Sequence, residues 1–318
     1  MTDEGDTPLG PKEEEEDAPV GPKEGEKDAP LGPDEAFSLV ADETRFGILR
    51  ELWEATNGDD GAVSFSDLWD RSAVDDSGRF NYHLDKLTPR FVRQTESGYR
   101  LTFAGERVIG AAISGVYTES DVRTVDPLEV GDCPACNGPI EASYEGGQIV
   151  IQCADCDLLI THVQAPPVLA AGHEPADLPA VFSRRVVTTN QEIARGFCLL
   201  CGGRMESTVE PGYFEAADTG QNQVGVTYTC RACGTEIRSI VGAALLDHPA
   251  VISFLYEHGI DLRETFFWDL DWLFEEHATV IEEDPLRVAV RIEMDDDELR
   301  LTVDEEATVL EVTGGETH

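Results

Sequence analysis

Cys133-Pro-Ala-Cys136-Asn-Gly138 and Cys153-Ala-Asp-Cys156, with sixteen residues between the pairs, decide how the middle of the chain folds. Cys198-Leu-Leu-Cys201-Gly-Gly203 and Cys230-Arg-Ala-Cys233-Gly234 repeat the arrangement across a gap of 28 residues. All eight cysteines of the chain lie in these four C-x-x-C pairs. A C-x-x-C turn aims two thiolates at one point ~2.3 Å from each sulfur, and two such turns complete a tetrahedron around zinc. The first gap fits a zinc ribbon, knuckle–hairpin–knuckle, and the second fits one with an insertion around Gly212 to Gln223. Small residues after the knuckles (Asn137-Gly138, Gly202-Gly203, Gly234) suit the tight turn. The spacing therefore predicts two structural zinc ions, held by Cys133, Cys136, Cys153 and Cys156 and by Cys198, Cys201, Cys230 and Cys233.

Three other readings stand beside this one. Disulfides would require an oxidising compartment. Iron–sulfur ligation lacks the compact spacing of ferredoxin clusters. A crossed pairing of the first pair with the fourth stays open. A catalytic zinc needs an open coordination position, and four thiolates leave none. No H-E-x-x-H or H-x-E signature occurs.

Outward from the cysteines, the expected fold class is α+β and multi-domain. Residues 128–163 form the first ribbon and 197–240 the second. Residues 117–127 are a linker. The connecting segment 164–196 is irregular to 176 and then helical over 177–195. Residues 241–313 form a small module of helices and antiparallel strands. Within it, Ala243 to Phe274 reads as two helices broken at His258-Gly259. Leu286 to Ile292 and Glu298 to Val303 read as two strands around the turn Asp295–Asp297. The cluster Phe266, Phe267, Trp268, Trp272 and Phe274 is read as core under that hairpin; a ligand pocket or dimer surface is the other possibility. Asp269, Asp271, Glu275 and Glu276 are read as the wet face of the second helix.

Toward the amino end, Ala36, Phe37, Leu39, Val40, Phe46, Ile48, Leu49, Leu52 and Trp53 recur at helical spacing. Asp42 is placed to cap the second of two helices. Ser64 precedes a short helix. A turn, Asp75-Asp76-Ser77-Gly78, leads to a third helical face, Phe80, Leu84 and Leu87, stopped by Pro89. Phe91–Thr95 and Tyr99–Thr102 flank Glu96-Ser-Gly98 as a hairpin, and Ala104 to Val116 is a last helix. Three helices and a hairpin over 34–116 make a winged helix-turn-helix, in which the third helix enters the major groove of double-stranded DNA. Its outward residues Ser77, Arg79, Asn81, Tyr82 and Lys86, with Arg93 and Arg100 on the hairpin, are the expected DNA contacts. His83 could face either way. Residues 77–107 carry six basic and three acidic groups, +3 within a chain of net charge -41.

These motifs carry a resemblance. Ala41-Asp-Glu-Thr-Arg-Phe-Gly-Ile-Leu49 resembles the opening of ArsR-type winged-helix repressors. Ser77 to Leu87, with its Asn-Tyr-His-Leu, resembles their recognition helix in archaeal regulators, and Gly98 to Thr102 with Gly105 resembles their wing. The whole layout looks like winged-helix regulators of halophilic archaea that carry carboxy-terminal zinc ribbons. The resemblance implies a homodimeric transcription regulator whose subunits meet through helices 35–54 and 104–116. The family's metal-sensing cysteines have no counterpart in this domain, so a sensor role is not implied, and the small-molecule effector is unassigned.

Composition sets the setting. The chain has 318 residues, 64 acidic against 23 basic, and only Lys12, Lys23, Lys27 and Lys86 among its lysines. Such a surface repels its own kind until salt screens it, and it points to a salt-rich cytoplasm. Residues 1–33 hold an acidic Pro-Gly repeat too poor in apolar groups to order, and lack a secretory signal. No apolar run is long enough to span a membrane. Two further functions fit the same residues: a protein-interaction accessory of transcription without sequence-specific DNA binding, and, ranked last, a zinc-dependent enzyme.

Overall fold

The structure, a computed structural model, describes residues 31–56, 61–117, 124–156, 158–215, 222–274 and 277–314. It is a mixed α/β chain that divides into two compact units, 1–109 and 110–318. The repeat read as a tail lies outside the described residues up to 30, whereas Pro33, assigned to that tail, opens the first helix.

In the first unit, α1 (Pro33–Val40) and α2 (Glu43–Thr56) are separated by a break at Ala41-Asp42. Asp42 caps α2 by accepting a 3.0 Å bond from the Arg45 amide, because the first amides of a helix have no partner inside it. Ser64 does the same for α3 (Phe65–Arg71), and Asp76 for α4 (Ser77–Leu87). Then come β1 (Val92–Thr95), β2 (Gly98–Leu101) and α5 (Phe103–Ile113). The two strands pair antiparallel around Glu96-Ser97. Gly98 is fixed by geometry: its φ is 136°, and a Cβ there would lie 2.3 Å from the Val63 carbonyl oxygen. That approach allows Val63 and Tyr99 to exchange two 2.8 Å backbone bonds. The core gathers Ile48, Leu49, Leu52, Leu68, Phe80, Leu84, Leu87, Val92 and Ile109. His83 joins Phe80, Leu84 and Leu87 among the buried residues of α4, so it faces inward.

The second unit begins with the sheet β3 (Val125–Asp132), β4 (Pro139–Glu145), β5 (Gln148–Cys153) and β6 (Leu159–Gln164), antiparallel in chain order. β3 starts inside the segment read as a linker, of which 118–123 lie outside the described residues. The segment read as irregular holds α6 (Pro167–Ala171) and a 3-10 turn, and α7 (Leu178–Ala194) follows. Next are β7 (Met205–Glu215), β8 (Asn222–Cys230) and β9 (Glu236–Ile240). The longer gap between cysteines is taken up mostly by lengthening β7 and β8, with an irregularity between Glu210 and Phe214; residues 216–221 lie outside the described residues.

After β9 come α8 (Val241–Ala244) and α9 (Pro249–Glu257). The second helix expected before Phe274 is absent: two 3-10 turns, Phe267–Asp269 and Asp271–Leu273, stand there instead. Phe267, Trp268 and Trp272 are buried, which settles the aromatic cluster as core. Trp268 Nε1 donates to the Val130 carbonyl at 3.0 Å, and the Phe267 amide donates to Ser183 Oγ at 2.8 Å. The pull of those partners on single residues wins over helix periodicity. Asp269 and Asp271 are exposed on the turns rather than on a helical face, and 275–276 lie outside the described residues.

The chain closes with β10 (Ala278–Glu283), β11 (Leu286–Met294), β12 (Asp297–Val303) and β13 (Val309–Gly314) in one antiparallel sheet. The inner pair was expected; β10 and β13 were not, and Gly314, read as tail, ends β13. Both outer strands are largely exposed, so little apolar alternation marks them. One buried cluster runs from Cys133 and Ile140 through Phe182, Val226 and Leu273 to Leu301, so the ribbons, α7 and the last sheet share a core. Among the described residues no helix is long and apolar enough to cross a membrane.

Candidate metal centres and helix face

Each cysteine group closes into one site. In the first, Cys133 Sγ lies 3.8 Å from Cys156 Sγ, and Cys136 Sγ 3.5 Å from Cys153 Sγ. In the second, Cys198 and Cys233 are 3.7 Å apart and Cys201 and Cys230 are 3.5 Å apart. Within each group all four sulfurs lie within 4.8 Å of one another. A tetrahedron with metal–sulfur bonds of ~2.3 Å has edges of ~3.8 Å, whereas a disulfide is ~2.05 Å long. The pairing is within each ribbon, not crossed. Each site has two buried cysteines, on the core side, and two exposed ones.

The knuckles are built to one plan. The first cysteine's amide donates to the carbonyl five residues on: Cys133 to Gly138, Cys153 to Leu158, Cys198 to Gly203 and Cys230 to Thr235, all at 2.7–2.9 Å. In three of them the residue four places on returns a bond to the cysteine carbonyl, and that residue has positive φ: Asn137, Gly202 and Gly234. That turn explains why Gly and Asn occupy those positions. Gly203 is tighter still, since a Cβ on it would lie 2.9 Å from the Ala232 Cβ and 3.1 Å from Cys201 Sγ.

Amides also point at sulfur: Gly138 at Cys136 (3.4 Å), Asp155 at Cys153 (3.4 Å) and Gly203 at Cys201 (3.3 Å). The Thr235 hydroxyl, and then its amide, bring the Cys233 thiol down to about 6. At Cys136 and Cys201 the amides of Gly138 and Gly203 pull the same way, but bonds among the crowded sulfurs and burial outweigh them and push both up to about 12. Four thiols this close cannot all ionise without a cation among them. The donor set, its spacing and its amide donors fit a divalent metal with four sulfur ligands.

Of the residues expected to meet DNA, Ser77, Arg79, Asn81, Tyr82 and Lys86 are exposed on α4. Arg93 and Arg100 sit opposite each other on β1 and β2, Arg93 exposed and Arg100 half-buried. Three contacts on α4 escaped the sequence. Asn81 Nδ2 donates to Asp85 Oδ2 at 2.9 Å, so a carboxylate shares the outer side. Lys86 Nζ sits 5.5 Å from the Tyr82 ring centre. Behind them, His83 Nδ1 approaches Asp42 Oδ1 at 3.5 Å. The i, i+4 spacing of Asn81 and Asp85 was a readable signal; the long-range His83–Asp42 approach was not.

The family model described as Domain of unknown function (DUF7351) matches residues 130–309, more than half of the chain. One described as Domain of unknown function (DUF7347) matches residues 33–112. No curated protein and no solved structure matches the chain.

Proposed function

Starting from a chain that belongs to the family of the domain of unknown function DUF7351, we propose that it is a DNA-binding transcription regulator, in which residues 34–116 act as a winged helix and zinc fills both four-cysteine sites. The observation that carries the reading is the two-sidedness of α4. Phe80, His83, Leu84 and Leu87 pack inward, while Ser77, Arg79, Asn81, Tyr82 and Lys86 stand in solvent. Arg pairs with guanine edges and Asn with adenine edges, and the other three suit phosphates. Arg93 and Arg100 stand opposite each other on the hairpin, where guanidiniums suit a phosphate backbone. Phe37 on α1 and Ile113 on α5 are exposed apolar groups, in keeping with a homodimer through helices 35–54 and 104–116. Four thiolates leave each metal no open position, so the proposed role of the zinc is structural rather than catalytic.

Genome-wide mapping of bound DNA would identify the operator. On it, Arg79→Ala with Asn81→Ala should cost at least tenfold in affinity and erase discrimination against scrambled sequence, at about 1–3 kcal/mol for each bidentate base contact. Unchanged selectivity in the double variant would remove α4 as the reader.

A further inference from the structure

The two ribbons share one knuckle frame, within sheets of four and three strands, which makes each a control for the other. The residue before the first cysteine pairs with the residue three after the second: Asp132 with Pro139, and Phe197 with Arg204. Four places after that second cysteine, Ile140 pairs with Cys153 and Met205 with Cys230. The residue after the third cysteine donates its amide to the same strand start, Ala154 to Pro139 at 2.9 Å and Arg231 to Arg204 at 3.0 Å.

On this shared frame the outer faces differ in chemistry. The first ribbon presents Asp132, Pro139, Glu141 and Ala154. At the matching positions the second presents Phe197, Arg204, Glu206 and Arg231. Windows of equal length give the same contrast. Residues 130–141 and 153–161 hold four acidic groups and no basic one; residues 195–206 and 230–238 hold four basic and two acidic, in a chain of net charge -41. Cross-strand partners point to one side of a sheet, as do residues two apart on a strand. Phe197, Arg204 and Glu206 therefore share a face, and Arg231 reaches it through its ion pair with Glu206. Phe197 is 56% exposed, and Leu200 in the knuckle beside it is 70% exposed. Packing inside the unit does not account for an aromatic ring and two guanidiniums left in solvent here, while the sister ribbon has none.

We propose that this face of the second ribbon binds a single strand of nucleic acid, with an unpaired base on Phe197 and phosphates on Arg204 and Arg231. An exposed aromatic flanked by guanidiniums is the arrangement that holds single strands without sequence preference. Charge selects the occupant, since four basic against two acidic groups around these knuckles, in a strongly acidic chain, suit an anionic partner. Glu206 holds Arg231 until a phosphate competes for it. The site is independent of the reading of α4.

The test uses the full-length, metal-loaded chain and a fluorescent 15-mer of deoxythymidine, read by anisotropy at two salt concentrations. Phe197→Ala and the pair Arg204→Ala with Arg231→Ala should each weaken binding five- to tenfold. The double variant should also flatten the dependence of log affinity on log salt by about 1.4, for two phosphates released. Glu206→Gln should tighten binding severalfold. Arg79→Ala with Asn81→Ala should leave this binding unchanged, which separates it from operator recognition. Metal content and thiol titre equal to wild type show that the knuckles of each variant are intact. Equal binding by wild type and the face variants would overturn the proposal. So would binding that needs duplex DNA and disappears with Arg79 and Asn81, or a face whose variants lose only an acidic peptide.

Discussion

His258 shows how one side chain ties distant parts of the chain together. It ends α9, where its Nδ1 donates to the Phe254 carbonyl at 2.8 Å, and its Nε2 meets Asp297 Oδ2 at 3.2 Å across the last sheet. The bond to Phe254, then the Asp297 carboxylate, hold its imidazole pKa above the ordinary value, against some desolvation. A group whose folded pKa is raised stabilises the fold fully below its unfolded pKa, here ~6.5. The contribution is lost as pH rises through the higher folded value. Asp297→Asn should therefore move the His258 titration, followed by NMR of its ring protons, back toward the ordinary value. An unmoved titration would mean that the carboxylate contributes nothing. The sequence marks His258-Gly259 only as a helix break. That its partner is Asp297, 39 residues on, is a product of the sheet's position.

At the scale of elements, the ribbons act as corners of a shared core rather than as separate beads. Cys133, Cys153, Cys198 and Cys230 are buried members of the cluster that also holds Phe182 of α7 and Val290 of β11. The first unit's core contains no cysteine. Metal removal should therefore loosen residues 125–314 as one body while α1 to α5 keep their protection, because ligand binding is folding energy for the unit that holds it. Hydrogen exchange with and without chelator checks this. Retained protection of β11 and β12 after chelation would show that the sheet stands without the ribbons. Pro179 stands in the first turn of α7 and Pro249 opens α9, positions where a missing backbone N–H leaves no helix bond unmade.

For the whole molecule, charge is the governing quantity. A net charge of -41 on 318 residues puts strong self-repulsion into the folded chain. Screening relieves it, since the Debye length falls from ~10 Å at 0.1 M salt to ~3 Å at 1 M. The melting temperature, followed by circular dichroism, should climb steadily from 0.1 to 2 M potassium chloride, and a flat profile would show that the acidic surface costs the fold nothing. The same screening weakens every phosphate contact. Both proposed nucleic-acid contacts would then have to rest, at high salt, on base edges and stacking, the roles proposed for Arg79, Asn81 and Phe197.

What the sequence determined alone is whatever depends on near neighbours. The four C-x-x-C turns, the Asp42, Ser64 and Asp76 caps, the amphipathic face of α4 and the Gly98 hairpin are local geometry, and a few residues suffice to specify each. What only the tertiary structure decided is where those pieces meet. It replaced the end of the second helix expected between Gly259 and Phe274 with turns, because Trp268 and Phe267 find partners on β3 and α7. It added β10 and β13 to a hairpin whose outer strands carry little apolar alternation. It also set Phe197 beside Arg204 and Arg231. Each of these follows from burial and hydrogen bonding between residues far apart in the chain, a cost and gain that no local pattern records.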